Sequence, residues 1–318
     1  YPETPQSFLL INDGTGKFSD QMTSWAPDLQ QIGMVTDAEW VDLDGDQQME
    51  LVLAGEWMPL QVWTITGQKL EDVSDQYFDQ SHTGWWNHLR ISDLNGDQKP
   101  DILAGNIGTN TQFRASPAEP VELYYKDFDN NGSIDPVLCY YIQGTSYPYV
   151  TRDELLNQLS GLRSKFPTYR SYANMTLSEV FDPEELTGAG HLSANHMETT
   201  LFLSNAEGKL QAQELPLQAQ FTPVYASTIG DFNGDGALDL LLAGNNRHAK
   251  LRLGQWDANY GTLLLGDGKG AFTYVNQIRS GLQVKGDVRS IVQVKDQLLF
   301  GINGGLIKAY KMNEQKTL

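Results

Sequence analysis

The stretch GDFNGDGALDLLLAG, from Gly230 to Gly244, decides how the chain is read. Counted from Asp231, oxygen-bearing side chains stand at positions 1, 3, 5 and 9: Asp231, Asn233, Asp235 and Asp239. A short apolar run ending in Ala-Gly follows. Two other segments repeat the pattern, VDLDGDQQMELVLAG from Val41 and SDLNGDQKPDILAG from Ser92. A fourth copy, KDFDNNGSIDP from Lys126, departs at Pro136 and continues as VLCYYIQG. A second pattern is a strand, a Gly/Asn/Asp turn and a return strand. It reads FLLINDGTGKF from Phe8, LFLSNAEGKL from Leu201 and LLLGDGKGAF from Leu263, with a looser copy, LQVWTITGQKL, from Leu60.

Joined, these patterns make strand, acidic loop, strand, hairpin, strand. Four short antiparallel strands in roughly 40–50 residues are the size of one propeller blade. The loops begin at Asp42, Asp93, Asp127 and Asp231, with spacings of 51, 34 and 104 residues. The last gap exceeds one unit, and the periodicity inside it turns helical at Leu155, Leu156, Leu159, Leu162 and Phe166. Thr151 with Glu154 and Thr176 with Glu179 read as capping boxes, and Asp182-Pro183-Glu184 as a further helical turn. The expected architecture is all-β. It is a β-propeller of four-stranded antiparallel blades over 1–311, about five in this chain or part of a larger ring. A small helical insertion occupies about 143–198 within one blade, and 312–318 form a C-terminal tail. The segments VRSIVQV, LLFGING and LIKAYKM near the C-terminus look like inner strands of a unit, and Phe8–Phe18 like an outer hairpin. The two ends therefore either share one blade or belong to a larger propeller.

The acidic loops read as cation sites. A hard cation such as Ca²⁺ takes six to eight oxygens at about 2.3–2.6 Å. Alternate residues of a tight loop point inward together, the carbonyl at position 7 joins them, and the acid at position 9 closes the cage. The first loop offers Asp42, Asp44, Asp46, the Gln48 carbonyl and Glu50, and the second Asp93, Asn95, Asp97, the Lys99 carbonyl and Asp101. The third offers Asp127, Asp129, Asn131, Ser133 and Asp135, and the fourth Asp231, Asn233, Asp235, Ala237 and Asp239. Gly45, Gly96, Gly132 and Gly234 are read as the turn residues. No His or Cys sits in a loop, which disfavours zinc and copper, and Mg²⁺ demands a stricter octahedron. Asp, Asn and Gly also favour turns for their own sake. Thirteen carboxylates crowded into four such loops nevertheless repel one another strongly without cations. About four structural Ca²⁺ ions are expected.

At these loops the chain resembles the FG-GAP/VCBS repeat family, whose calcium-loop propeller blades also occur in integrin α-chains. GEWMP from Gly55, SGLRSKFPTYRSYA from Ser160 and QWDANYGTLLLGDGKGAF from Gln255 look like the C-terminal propeller region of large bacterial secreted or surface FG-GAP/VCBS proteins. The resemblance implies a calcium-stabilised extracellular or cell-surface propeller, of a kind usually with no proven enzymatic role.

Composition narrows the alternatives. A formal charge of −18 argues against nucleic-acid binding, which needs clustered positive charge. No run of 18 apolar residues spans a membrane, and the single Cys139 rules out a disulfide framework. Tyr1-Pro2-Glu3 is neither a translation start nor a charged-then-apolar leader, so the chain reads as part of a longer protein with flanking domains. No nucleophile elbow, phosphate loop or dinucleotide fingerprint is visible, and the five histidines are scattered.

Trp57, Trp85, Trp86, Trp256 and Tyr260 lie between strands, and the last two neighbour the basic residues Arg247, His248, Lys250 and Arg252. They read either as wedges between blades or as a ligand surface of Trp57, Trp85, Trp86, His248, Arg252, Trp256 and Tyr260. Three functions follow. The first is a non-enzymatic interaction scaffold at the bacterial cell surface, binding protein or glycan. The second is a carbohydrate-binding module that stacks sugars on the tryptophans. The third is a calcium-dependent polysaccharide lyase with His248 or Arg252 as its suspects.

Overall fold

The computed structural model of the chain describes residues 1–312. The expected tail, 312–318, therefore lies outside the described residues except for Met312. The fold is all-β, with antiparallel sheets of mostly four strands and short helices between them.

A two-stranded hairpin, β1 (Leu10–Asn12) and β2 (Phe18–Asp20), comes first, followed by α1 (Met22–Trp25). The next sheet runs in order β3 (Met34–Val41), β4 (Glu50–Pro59), β5 (Gln61–Thr66), β6 (Lys69–Asp72). After α2 (Ser74–Tyr77), the short β7 (Thr83–Trp85) pairs with the far end of β4. The chain then enters β8 (His88–Ser92) and β9 (Asp101–Gly105).

Here the structure departs from the expected order. After Gly105 the chain builds a separate sheet from β10 (Val121–Lys126), β11 (Asp135–Ile142) and β12 (Thr145–Pro148). Three helices, α3 (Arg152–Gln158), α4 (Leu177–Val180) and α5 (Pro183–Leu186), lead to β13 (Gly190–Ala194), which pairs with β10. Only then does β14 (Thr200–Ser204) return to pair with β9, followed by β15 (Leu210–Gln213). The segment set into the sheet is thus a four-stranded sheet with its helices. The third acidic loop, between β10 and β11, belongs to it.

Two more sheets follow. One orders β16 (Val224–Gly230), β17 (Asp239–Gly244), β18 (Thr262–Gly266) and β19 (Phe272–Val275). After α6 (Gln277–Ser280), the other orders β20 (Val288–Val294), β21 (Gln297–Ile302) and β22 (Lys308–Lys311). Among the described residues, β20–β22 and β1–β2 are separate sheets, so the two ends of the chain share none.

The Ala-Gly runs explain the layering. Leu51–Gly55, β9 and β17 are buried at every residue instead of alternating, because each second strand has neighbours on both faces. Their terminal glycines meet backbone: a Cβ on Gly55 would lie 2.5 Å from the Met34 carbonyl oxygen, and one on Gly105 2.5 Å from that of Val224. Side chains bridge successive sheets. Phe202 packs with Val52, Val62 and Trp86, and Leu264 with Leu103 and Leu201. First strands lie side by side, β3 with β8, β8 with β16 and β16 with β20.

Candidate metal centres

Each acidic loop links the first strand of a sheet to the second, and the same three hydrogen bonds recur in all four. The amide at position 6 donates to one carboxylate oxygen at position 1: Gln47 to Asp42 at 3.0 Å, Gln98 to Asp93 at 2.8 Å, Gly132 to Asp127 at 2.8 Å and Gly236 to Asp231 at 3.0 Å. The amide at position 7 donates to position 5: Gln48 to Asp46, Lys99 to Asp97, Ser133 to Asn131 and Ala237 to Asp235, all between 2.7 and 2.9 Å. The amide at position 2 donates to the closing acid: Leu43 to Glu50, Leu94 to Asp101, Phe128 to Asp135 and Phe232 to Asp239, between 2.7 and 3.1 Å. These bonds curl the backbone, and in the first and third loops side chains 1 and 3 come together with 9.

The curl needs a left-handed residue at positions 4 and 6. The pairs are Gly45 and Gln47, Gly96 and Gln98, Asn130 and Gly132, and Gly234 and Gly236, with φ between 55° and 89° where given. This corrects the reading of the third loop. Gly132 occupies position 6, and Asn130 takes the place filled elsewhere by a glycine, one of the few residues that tolerate that conformation.

The closing acids are the buried members. Glu50 is 2% exposed, Asp101 0%, Asp135 3% and Asp239 0%. Burial pushes all four carboxyls above the usual range, with the other acids of each loop adding to the rise. In three of the four the second oxygen reaches the third strand of the sheet. Asp101 accepts from the Ser204 amide at 2.8 Å, Asp239 from the Gly266 amide at 3.0 Å, and Glu50 from the Thr64 hydroxyl at 3.4 Å. One side chain thus ties the loop to the sheet behind it, a link that no local motif announces.

The donor set suits a hard cation. One oxygen each from Asp42, Asp44 and Glu50, and one each from Asp127, Asp129 and Asp135, lie mutually within 4.8 Å. The other two loops replace the position-3 acid by Asn95 or Asn233, neutral oxygens that Ca²⁺ accepts equally well. The only cationic side chain inside a loop, Lys99, turns away and donates to the Asn205 and Ala206 carbonyls.

The proposed aromatic ligand surface is not assembled. Trp86 is fully buried, Trp57 is 7% and Trp256 8% exposed. Trp85 sits half-buried between them, edge-on to Trp57 at 5.0 Å and to Phe113 at 5.5 Å. Three indole nitrogens are spent internally, Trp57 on the Tyr1 hydroxyl, Trp86 on the His82 carbonyl and Trp256 on the Asn110 carbonyl, while that of Trp85 is buried without a partner. The tryptophans are packing wedges, and no open ring face is left on these three for a sugar. Arg252 lies over the Tyr149 ring at 3.7 Å and pairs with Glu154 of α3 at 2.6 Å, so it fastens the inserted sheet. His248 is exposed but pairs with the buried Asp287 at 3.1 Å, and half-buried Tyr260 faces Lys285.

The structure also joins three residues that no sequence motif singles out. His88 Nδ1 lies 3.0 Å from Asp37 Oδ2, and His88 Nε2 lies 2.8 Å from the Ser227 hydroxyl. Asp37 also accepts from the Leu89 and Ala38 amides; desolvation raises its pKa, but these bonds and His88 together hold it below the usual range. The order of groups is that of a hydrolytic triad. Ser227, however, is 1% exposed and lies within the β16–β17 ladder opposite Leu242. Its hydroxyl is out of a substrate's reach, so the line acts as a tie across β3, β8 and β16. The one regularity behind it is position: Asp37 and His88 stand five residues, and Ser227 four, before the first acid of their loops.

Among curated proteins none matches the chain. Among solved structures, the crystal structure of the V. cholerae biofilm matrix protein Bap1 aligns with 88% of this chain at 14% identity and a TM-score of 0.27. The alignment covers 41% of that longer chain. Residues 42–104 match the FG-GAP-like repeat family, from position 1 of the first loop to the Ala before Gly105. Together with the recurrence of the same loop, this identifies the chain as one that carries the FG-GAP-like repeat.

Proposed function

We propose that the chain is a calcium-stabilised β-propeller serving as a non-enzymatic interaction scaffold, extracellular or at the bacterial cell surface. One observation carries this reading: four loops of different sequence share one hydrogen-bonded frame that carries two or three acids together with a buried closing carboxylate. Asp42, Asp44, Asp46 and Glu50, and their counterparts in the other loops, would hold the ions. A bound Ca²⁺ supplies positive charge that offsets the repulsion within each loop. The residues themselves set the frame, and the closing acid passes loop order to the third strand. Among the described residues no helix is long and apolar enough to cross a membrane.

The scaffold reading is favoured over the other two. Burial of Trp57, Trp86 and Trp256 removes the stacking platform that sugar binding would use. A lyase needs a base beside an open cation, and its two suspects pair with acids outside the loops, His248 with Asp287 at 3.1 Å and Arg252 with Glu154 at 2.6 Å. Equilibrium dialysis of the purified chain against Ca²⁺, with thermal melts in excess chelator, tests the proposal. About four ions per chain and a clear fall in Tm on chelation are expected. An ion bound only by the folded state adds about 2.7 kcal/mol per site at roughly a hundredfold excess over Kd. A chain that binds no Ca²⁺ and melts identically in chelator overturns it.

A further inference from the structure

Three hairpins of the molecule are copies of one another. Asn12 pairs with Phe18, Ser204 with Leu210 and Gly266 with Phe272 in the same register. In each, the next residue closes the turn, Asp13 N to Lys17 O at 3.0 Å, Asn205 N to Lys209 O at 2.8 Å and Asp267 N to Ala271 O at 3.0 Å. The same residue's Oδ1 accepts the amide two positions on, from Thr15, Glu207 and Lys269 respectively. A helical turn and the first strand of the next sheet follow every time.

In two of the three copies the structure shows what lies on the inner edge. β14 is paired by β9 and β18 by β17, and the amides of Ser204 and Gly266 donate to the closing acids Asp101 and Asp239. β1 has no such neighbour among the described residues. Its face is bare too. Leu10 is 56% exposed, whereas its counterparts Phe202 and Leu264 are both 0%; Phe18 is 63%, whereas Leu210 is 5%. Phe8 adds a third exposed apolar side chain at 63%. The opposite face is satisfied, since Leu9 packs on the cluster of Met22, Leu29, Leu51 and Trp63.

We propose that β1–β2 is the outer half of a further repeat unit. Its open edge receives a strand–acidic loop–strand segment of the same type, contributed by a repeat outside the 318 residues, whose closing acid meets the Asn12 amide. The inference rests on strand pairing and exposure, not on whether the four loops hold ions. An unpaired strand edge with apolar neighbours is a template for such pairing.

The test uses the full chain and a synthetic peptide of residues 224–244, the segment that covers the equivalent edge of β18. Amide exchange is followed with the peptide free in excess, and again with it tethered to the N-terminus by a Gly/Ser linker, which brings it to roughly millimolar effective concentration. Slowing at Leu10–Asn12 by roughly tenfold or more is expected, and loss of that slowing with the Asp239→Ala peptide. Leu10→Arg, at a site already exposed, should leave the melt unchanged and abolish the protection. No slowing at β1 in either format, or slowing confined to other strands, overturns the proposal. Slowing at β1 in excess chelator upholds it even if the chain proves to bind no Ca²⁺.

Discussion

His82 Nδ1 lies 3.3 Å from His196 Nδ1 at the joint where the inserted sheet returns to the body of the fold. Around them, Asn195 and His196 both donate to the Thr83 carbonyl, and Thr83 donates back to the Asn195 side chain. Phe78, Trp86 and Phe202 enclose the rings. At this separation one nitrogen donates and the other accepts, so a proton on both is excluded. Burial first, and His196 second, push His82 down to about 4; burial also lowers His196, opposed by Glu198 at 3.9 Å.

Acid should therefore loosen this joint. The folded His82 lies below the 6.5 of a free imidazole, so its contribution is complete above that pH and is lost as pH falls toward about 4. Thermal melts from neutral to mildly acidic pH should show a steeper fall for the parent chain than for His82→Leu, which carries no proton. Parallel curves for the two would remove the histidine pair as the cause.

Two acids of one loop should behave differently. Asp239 is fully buried and accepts from both the Phe232 and Gly266 amides, so Asp239→Ala strands two donors and should cost about 3 kcal/mol even without cation. Asp235 is exposed and bonds only within its own loop. Asp235→Ala should lower Ca²⁺ binding by one site and leave the chelated melt nearly unchanged. Calorimetric titration beside melts in chelator separates the two, and equal effects in chelator would refute the division of labour.

The loops, the Ala-Gly strands and the helix caps were legible because each is decided locally. Thr151–Glu154 forms both reciprocal bonds of a capping box, and Glu179 accepts from the Thr176 amide at 2.8 Å. What was not legible depends on pairing across long separations. Nothing in LFLSNAEGKL says that β14 pairs with β9 across an entire intervening sheet, since both neighbours offer the same apolar run. The burial of Trp86 and Trp256 likewise follows from which sheets meet, and their sequence surroundings left both wedges and a ligand surface open.

The Asp37–His88–Ser227 line should be worth stability and nothing in catalysis. Ser227→Ala removes one buried hydrogen bond and should cost about 1 kcal/mol. Asp37→Ala frees His88 and leaves the Leu89 amide without its 2.8 Å acceptor, so about 2–3 kcal/mol is expected. A fluorophosphonate probe should leave the folded chain unlabelled. Labelling abolished by Ser227→Ala would mean that the hydroxyl is accessible and the assignment as a tie is wrong.

Gln47 and Gln98 occupy position 6 of their loops with φ of 70° and 69°, where the other two loops place Gly132 and Gly236. Both side chains are exposed, and among the described residues neither accepts or donates a hydrogen bond. Their backbone amides do the work at this position, donating to Asp42 and Asp93, and a glycine keeps that amide. A non-glycine residue pays roughly 1–2 kcal/mol for left-handed backbone, against roughly 0.5–1 kcal/mol of added freedom that glycine brings to the unfolded chain. Gln47→Gly and Gln98→Gly should each therefore stabilise by up to about 1 kcal/mol, and the two should add because they lie in different loops. Differential scanning calorimetry in chelator gives the check, since there no ion can hold the loop closed. A fall in Tm for both variants would show that the loops without cation do not keep position 6 left-handed, and that the shared frame forms only around an ion.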